Sequence, residues 1–187
     1  AALDALSRQL DAAGLPENVG IHGPNSMAWL VNSEVINFLG AGRAILLQLA
    51  HPYVAYAIAE HSVTLDDARG RFQRTFENIY QMCFGDRDQA MQSARQVYRV
   101  HTRVHGVIAE DAGRYKRGHR YHALESEALL WVHATLIDTA MRVHAGSGVS
   151  MSRDQRERFY QDSKRFALLF GLADEVPADL GAFDRHV

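Results

Sequence analysis

The segment GRAILLQLAHPYVAYAIAEHS, residues 42–62, constrains the fold more than any other stretch. It is apolar on nearly every side, and a helix of that kind has to be buried by other helices. Its apolar run, AILLQLAHPYVAYAIA, is too short for a membrane span, and Gln48, His51 and Pro52 make it too polar for one. Pro52 removes a backbone donor inside the segment, so the helix must kink there or divide in two.

The rest of the chain can supply the coat. Hydrophobic periodicity is helical almost throughout, with no alternating strand and no Asn-Gly or Asp-Gly hairpin signal. The expectation is an all-α fold of six or seven helices, with the 187 residues forming one domain. Residues 1–13 read as a helix ended by Gly14 and Pro16. Ser26 caps a helix to about Leu39, Gly40 and Gly42 interrupt it, and an apolar helix runs from Arg43 to about His61. Thr64 and Asp67 have capping-box spacing ahead of a helix over about 65–82. Further helices are expected over about 86–110, 123–145 and 152–170, the last capped by Ser152 and stopped by Gly171. The polar, Arg/Gly-rich stretch 110–121 reads as a mobile loop and a candidate lid. The close after the Pro177 loop reads as a domain lacking a further C-terminal helix.

Charge excludes some functions. The net charge is −2 with histidine neutral and no basic run is present, so nothing points to nucleic acid or an anionic membrane. One cysteine, Cys83, permits neither an intrachain disulfide nor a cysteine-based zinc site, and the residues shown hold no signal peptide. A reducing, cytoplasmic setting is the expectation. No P-loop, His-Glu-x-x-His, Glu-x-x-His or Gly-x-Ser-x-Gly motif occurs. Ten histidines are more than such a chain needs.

The candidates for chemistry are polar residues on apolar helical faces. On the 86–110 helix, Ala90, Ala94, Val97, His101, Val104, His105 and Ile108 share a face, while Arg95, Arg99 and Arg103 form another row. His101 and His105 are therefore either core histidines bonded to neighbours or neutral imidazoles facing iron. On the preceding helix, Leu65, Ala68, Phe72, Thr75, Phe76 and Ile79 form the apolar stripe, with Arg71 at its margin. Arg71 and Thr75 lie one turn apart. They are either a snorkelling arginine and a threonine bonded to its own helix, or a guanidinium and hydroxyl aimed at a ligand carboxylate or a water. His51, beside Pro52, is either a satisfied core histidine or one freed by the kink to face a cavity.

The order of GRAILLQLAHPYVAYAIAEHS, RFQRTF, VHTRVHG and YHALESEALLWVHATLIDT resembles the bacterial MpaB-like family, which shares its catalytic domain with the latex clearing proteins, the rubber oxygenases. The resemblance runs from about Trp29 to about Phe183. It implies a haem b held in a helical core with globin-like packing. The family's proximal histidine follows a threonine by thirty residues and an arginine by thirty-four. From Thr75 and Arg71 both spacings reach His105, which the resemblance thus picks over His101 as the iron ligand. The rubber enzymes carry a distal lysine where Arg74 stands, and a distal glutamate with no counterpart upstream of Arg71. His51 is the residue at hand to replace that glutamate. An arginine stays protonated and cannot swing on and off iron as a lysine can.

The resemblance therefore implies an oxygenase or related oxidoreductase that uses haem b and dioxygen on a small apolar substrate other than rubber. His105 would ligate iron, Arg71 and Thr75 would hold its proximal side or a propionate, and Arg74 and His51 would stand at the distal side. His101 would also line the cofactor, and His133 and Thr135 would be weaker pocket residues. A haem-binding sensor or carrier without turnover and a haem-free helical binding module are the alternatives. A homodimer stays open.

Overall fold

The computed structural model describes residues 8, 11–12, 17–61, 68–146, 148, 150–172 and 174–187. The expected helix over 1–13 and the Thr64–Asp67 cap fall largely or wholly outside these. The described residues form eight helices and one small hairpin: α1 (Met27–Asn32), α2 (Asn37–Leu49), α3 (Pro52–His61), α4 (Ala68–Phe84), α5 (Arg87–His101), β1 (His105–Val107), β2 (Arg120–His122), α6 (Ser126–Gly146), α7 (Arg153–Leu168) and α8 (Leu180–His186). The fold is all-α, as expected. Among the described residues no helix is long and apolar enough to cross a membrane.

α6 is the central element. It packs along α2 on one side and against α7 on another, burying Ala134, Ile137 and Met141. The α2 contact is close because α2 presents Gly40 to it: a Cβ there would lie 2.7 Å from Thr139 Cγ2 and 2.8 Å from Val143 Cγ2. Arg43, one turn on, clamps the contact by donating to Asp138 Oδ2 and to Thr139 Oγ1, each at 2.6 Å. Trp131 Nε1 donates to the Leu47 carbonyl at 2.8 Å. Gly40 is thus a packing glycine and α2 runs straight through it and Gly42, where an interruption was expected. The break falls earlier, between Asn32 and Asn37, and again at Pro52, which opens α3 at the N-terminal position proline tolerates best.

Ser26 caps α1 as expected, accepting from Trp29 N at 3.0 Å. Asp162 of α7 reaches the same helix end and accepts from Met27 N at 2.8 Å and Ala28 N at 3.3 Å. A carboxylate there satisfies orphan donors and meets the positive end of the helix dipole. Capping boxes at Asp86 and Ser152 start α5 and α7. Gly171, at φ 78°, follows α7, as expected. The C-terminal segment carries α8, which buries Leu180 and Phe183 against α1, α6 and α7.

Two expectations need correction. The 86–110 helix stops at His101, and residues 105–107 pair antiparallel with 120–122 in the register His105↔His122. Three-residue strands carry too little alternation to show in a sequence, and the pairing is tertiary. Gly106 permits it, since a Cβ there would meet Glu60 Oε2 at 2.6 Å and Tyr121 Oη at 2.7 Å. The 110–121 stretch is also tied down. Ile108 N donates to the His119 carbonyl and Gly118 N to the Ile108 carbonyl, each at 2.9 Å, and Arg117 N donates to Asp111 Oδ1 at 3.0 Å. Tyr115 at its centre is buried. A lid would need to leave these bonds.

Between the loop before α1 and helices α6 and α7 sit two buried histidines, His22 and His133. His22 Nδ1 and His133 Nε2 have no hydrogen-bond partner among the described residues. His133 stacks on Phe166 of α7, ring planes 7° apart. Burial, helped by nearby Arg165 and His133, lowers His22 to about 3, and burial lowers His133 to about 4. Both rings are neutral in the folded chain at neutral pH.

Two predictions follow from this packing. Gly42 has nothing within 4 Å of a built Cβ, so Gly42→Ala should raise unfolding free energy by about 0.5–1 kcal/mol. Gly40→Val should lower it by about 1–3 kcal/mol through overpacking. Urea denaturation of the pair measures both. The histidines set a pH dependence: unfolding lets each ring return to its ordinary value of 6.5, so the unfolded chain binds more protons between 6.5 and the folded value. Stability should be at its plateau above pH 6.5 and fall as pH drops from 6.5 toward 4, by on the order of 3 kcal/mol for His133. His133→Leu should flatten that slope in melts taken across the window.

Candidate functional site

α4 and α5 are joined by Gly85 and Asp86 and pack against each other as an antiparallel hairpin. Its register is pinned by Ser93, whose hydroxyl lies 2.7 Å from Asn78 Oδ1 and 3.2 Å from the Asn78 carbonyl. From that point helix rise does the rest. Arg71 stands about 10 Å toward the start of α4 and His101 about 12 Å toward the end of α5. The two are therefore level. Arg74 and Thr75 lie between them and the pin, both exposed. For Arg71 only the backbone position is described.

His101 is the half-buried last residue of α5, and its Nδ1 is buried with no hydrogen-bond partner among the described residues. Burial first, and the neighbouring His122 second, hold its pKa below the ordinary imidazole value. It is a neutral ring with an uncommitted buried nitrogen. His105 differs. It is exposed in β1, its ring stacks on His122 with centroids 6.0 Å apart, and its carbonyl lies 2.9 Å from His61 Nε2. The expected shared helical face of His101 and His105 does not exist, because the helix ends between them.

His51 is buried, but it acts as the cap of α3. Its Nδ1 accepts from Tyr53 N at 3.2 Å, which leaves the ring proton on Nε2, 3.5 Å from Glu127 Oε1 and from Tyr115 Oη. With Nδ1 occupied and Nε2 protonated, the ring has no lone pair with which to act as a base. His133 and Thr135 are buried within the core, and Thr135 Oγ1 donates to its own helix at the Val132 carbonyl, 2.7 Å away. Cys83 is buried, its thiol pushed up to about 12, and inert.

The apolar stripe of α4 does not end in a packed core. Phe72, Phe76 and Tyr80, four residues apart, face Phe38 of α2, with Phe38 and Phe76 stacked at 4.8 Å. They line an open groove of about 340 Å³, bordered by Arg69, Gln73 and Glu77. Phe72 is 50% exposed and Leu39 and Leu46 on α2 are 79% and 70% exposed, so the apolar surface extends beyond the groove. The spacing of the aromatic residues is readable in the sequence, but it signals burial as readily as a groove. Electrostatically the rim is mixed. Among the described residues no group of three His, Cys, Asp or Glu side chains converges as a metal site.

No curated protein and no solved structure matches the chain. The family of the ER-bound oxygenase mpaB/B′ and rubber oxygenase catalytic domain matches residues 28–187, from α1 to the end of α8. This chain therefore belongs to the mpaB and rubber oxygenase catalytic-domain family.

Proposed function

We propose that this domain is a haem b-dependent oxygenase acting on a small apolar substrate, with His101 as the residue that holds the iron. The observation that carries the reading is the buried Nδ1 of His101, which has no hydrogen-bond partner among the described residues and lies level with the backbone of Arg71. Membership of an oxygenase family supports oxygen chemistry on a small molecule. A haem asks for one neutral imidazole from the protein, cationic groups for its propionates and an apolar surface. The residues present fit these demands. His101 offers the imidazole, the exposed Arg74 a cation, and the Phe38–Phe72–Phe76–Tyr80 groove the apolar surface.

The haem, when bound, supplies the dioxygen chemistry, and the chain supplies binding and orientation. Burial keeps His101 neutral, the form in which an imidazole ligates. Arg74 is a permanent donor that can hydrogen-bond an oxygen but cannot take its proton. The apolar surface that continues past the groove through Leu39 and Leu46 would accept substrate through contacts that carry no directional demand, which suits a small hydrocarbon-like molecule better than a polar one. His101 replaces His105 in this reading because His105 lies past the helix end on an exposed strand. His51 is left out of the chemistry because it caps α3.

The test is spectroscopic. Protein purified from haem-supplemented cells, or given hemin, should show a Soret band. His101→Ala should lose the band or shift its position, and His105→Ala should leave it in place. A colourless protein that takes up no hemin would overturn the haem assignment. Loss of the band in His105→Ala alone would return the ligand to β1. Haem binding without dioxygen uptake on any apolar substrate would make the domain a carrier.

A further inference from the structure

Three tyrosines meet where α3, the 108–119 loop, β2 and α6 come together. Tyr53, Tyr115 and Tyr121 are 7%, 8% and 2% exposed. Their rings form a chain, with centroids 4.8 Å apart from Tyr115 to Tyr53 and 6.2 Å from Tyr53 to Tyr121. Each hydroxyl lies against a different proton acceptor. Tyr115 Oη donates to Glu127 Oε1 at 2.7 Å and Tyr121 Oη to Glu60 Oε2 at 2.6 Å. Tyr53 Oη lies 2.6 Å from His119 Nε2, and placing the proton on the phenol gives this buried hydroxyl its acceptor. All three acceptors are exposed, so the rings are inside and the proton exits are outside.

We propose that Tyr115, Tyr53 and Tyr121 form a redox-active cluster that takes up oxidising equivalents as neutral tyrosyl radicals. A phenol is hard to oxidise by electron loss alone, because the radical cation is strongly acidic. Oxidation becomes accessible when the proton leaves with the electron, and that requires an acceptor already within hydrogen-bond reach. All three phenols meet this condition, Tyr115 through a carboxylate that is also paired with Arg114. Burial raises the pKa of Tyr53 and, aided by Glu60, that of Tyr121, so neither reacts by way of a standing phenolate. A core that needed only packing would be served by phenylalanine.

The step balances within named groups. A one-electron oxidant of high potential, of the kind an oxygen-activating centre generates, takes one electron from Tyr115 and is reduced. The Tyr115 O–H bond breaks and a Glu127 O–H bond forms. In the next step an electron passes from Tyr53 to the Tyr115 radical, Glu127 returns its proton to Tyr115, and the Tyr53 proton moves to His119 Nε2. Transfer onward from Tyr121 uses Glu60 in the same way. The cluster would so spread stray oxidising equivalents over buried rings while their protons rest on surface acceptors. It does not depend on the identity of the oxygen-activating group, so the haem assignment can fail without it.

The test uses the purified chain and photogenerated ruthenium(III) tris-bipyridine as oxidant, with electron paramagnetic resonance on frozen samples. A tyrosyl radical signal should appear, should form more slowly in deuterated water, and should be lost in the Tyr53→Phe/Tyr115→Phe/Tyr121→Phe variant. Tyr98→Phe, at an exposed position on α5, should leave the signal unchanged. The three single variants are measured too, with circular dichroism for fold, so that the triple variant's failure to fold leaves the assignment decidable. No tyrosyl signal, no solvent isotope effect, or a signal unchanged in all three single variants would overturn the proposal.

Discussion

The contact of α2 with α6 at Gly40 governs where everything else can go. Without a side chain at that position the two backbones come close enough for Arg43 to reach Asp138 and Thr139 across them. Once α2 is held by one face, its opposite face, with Leu39 and Leu46, is turned outward. Phe38 then meets the aromatic row of α4, and that meeting forms the groove. The candidate substrate surface is thus a by-product of a glycine contact on the far side of the same helix. Arg142 adds a second cation to Asp138, at 2.9 Å, so the carboxylate at this contact is bonded from both α2 and its own helix.

How much of this could be read from sequence depended on whether the cause was local. Ser26, Ser152 and Gly171 mark their helix ends through bonds or dihedral angles within a few residues, and all three do so in the structure. Gly40 misleads because glycine breaks a helix in isolation yet lets two helices touch, and the partner, α6, lies about a hundred residues away. The end of α5 misleads for a similar reason. Val104 and His105 continue the helical spacing well enough. What stops the helix is pairing with residues 120–122, helped by the room that Gly106 leaves for Tyr121.

The site shows the same division. The polar residues the sequence offered were grouped on an assumed helix. The hairpin register set by Ser93 and Asn78 brings Arg71 level with His101 instead, and β1 carries His105 away. His51 illustrates how a single bond reassigns a residue. An imidazole beside a proline could face a cavity or cap the helix that the proline starts, and only the contact from Tyr53 N distinguishes them. The family relation was legible because it rests on the order of several short elements along the chain, which survives such local errors.

One feature bears on how the chain is made. The first turn of α1 takes part of its capping from Asp162, 135 residues downstream of Met27. Six residues are too few to hold a helix alone. On a ribosome, α1 leaves the exit tunnel long before α7 exists, and its outer donors must stay with water until that carboxylate arrives. The Ile21 and His22 carbonyls wait likewise for Arg165. Closure of the amino-terminal edge is therefore a late event in synthesis. Folding of this domain is gated by the emergence of α7, and a nascent chain halted before it would display an open edge to chaperones.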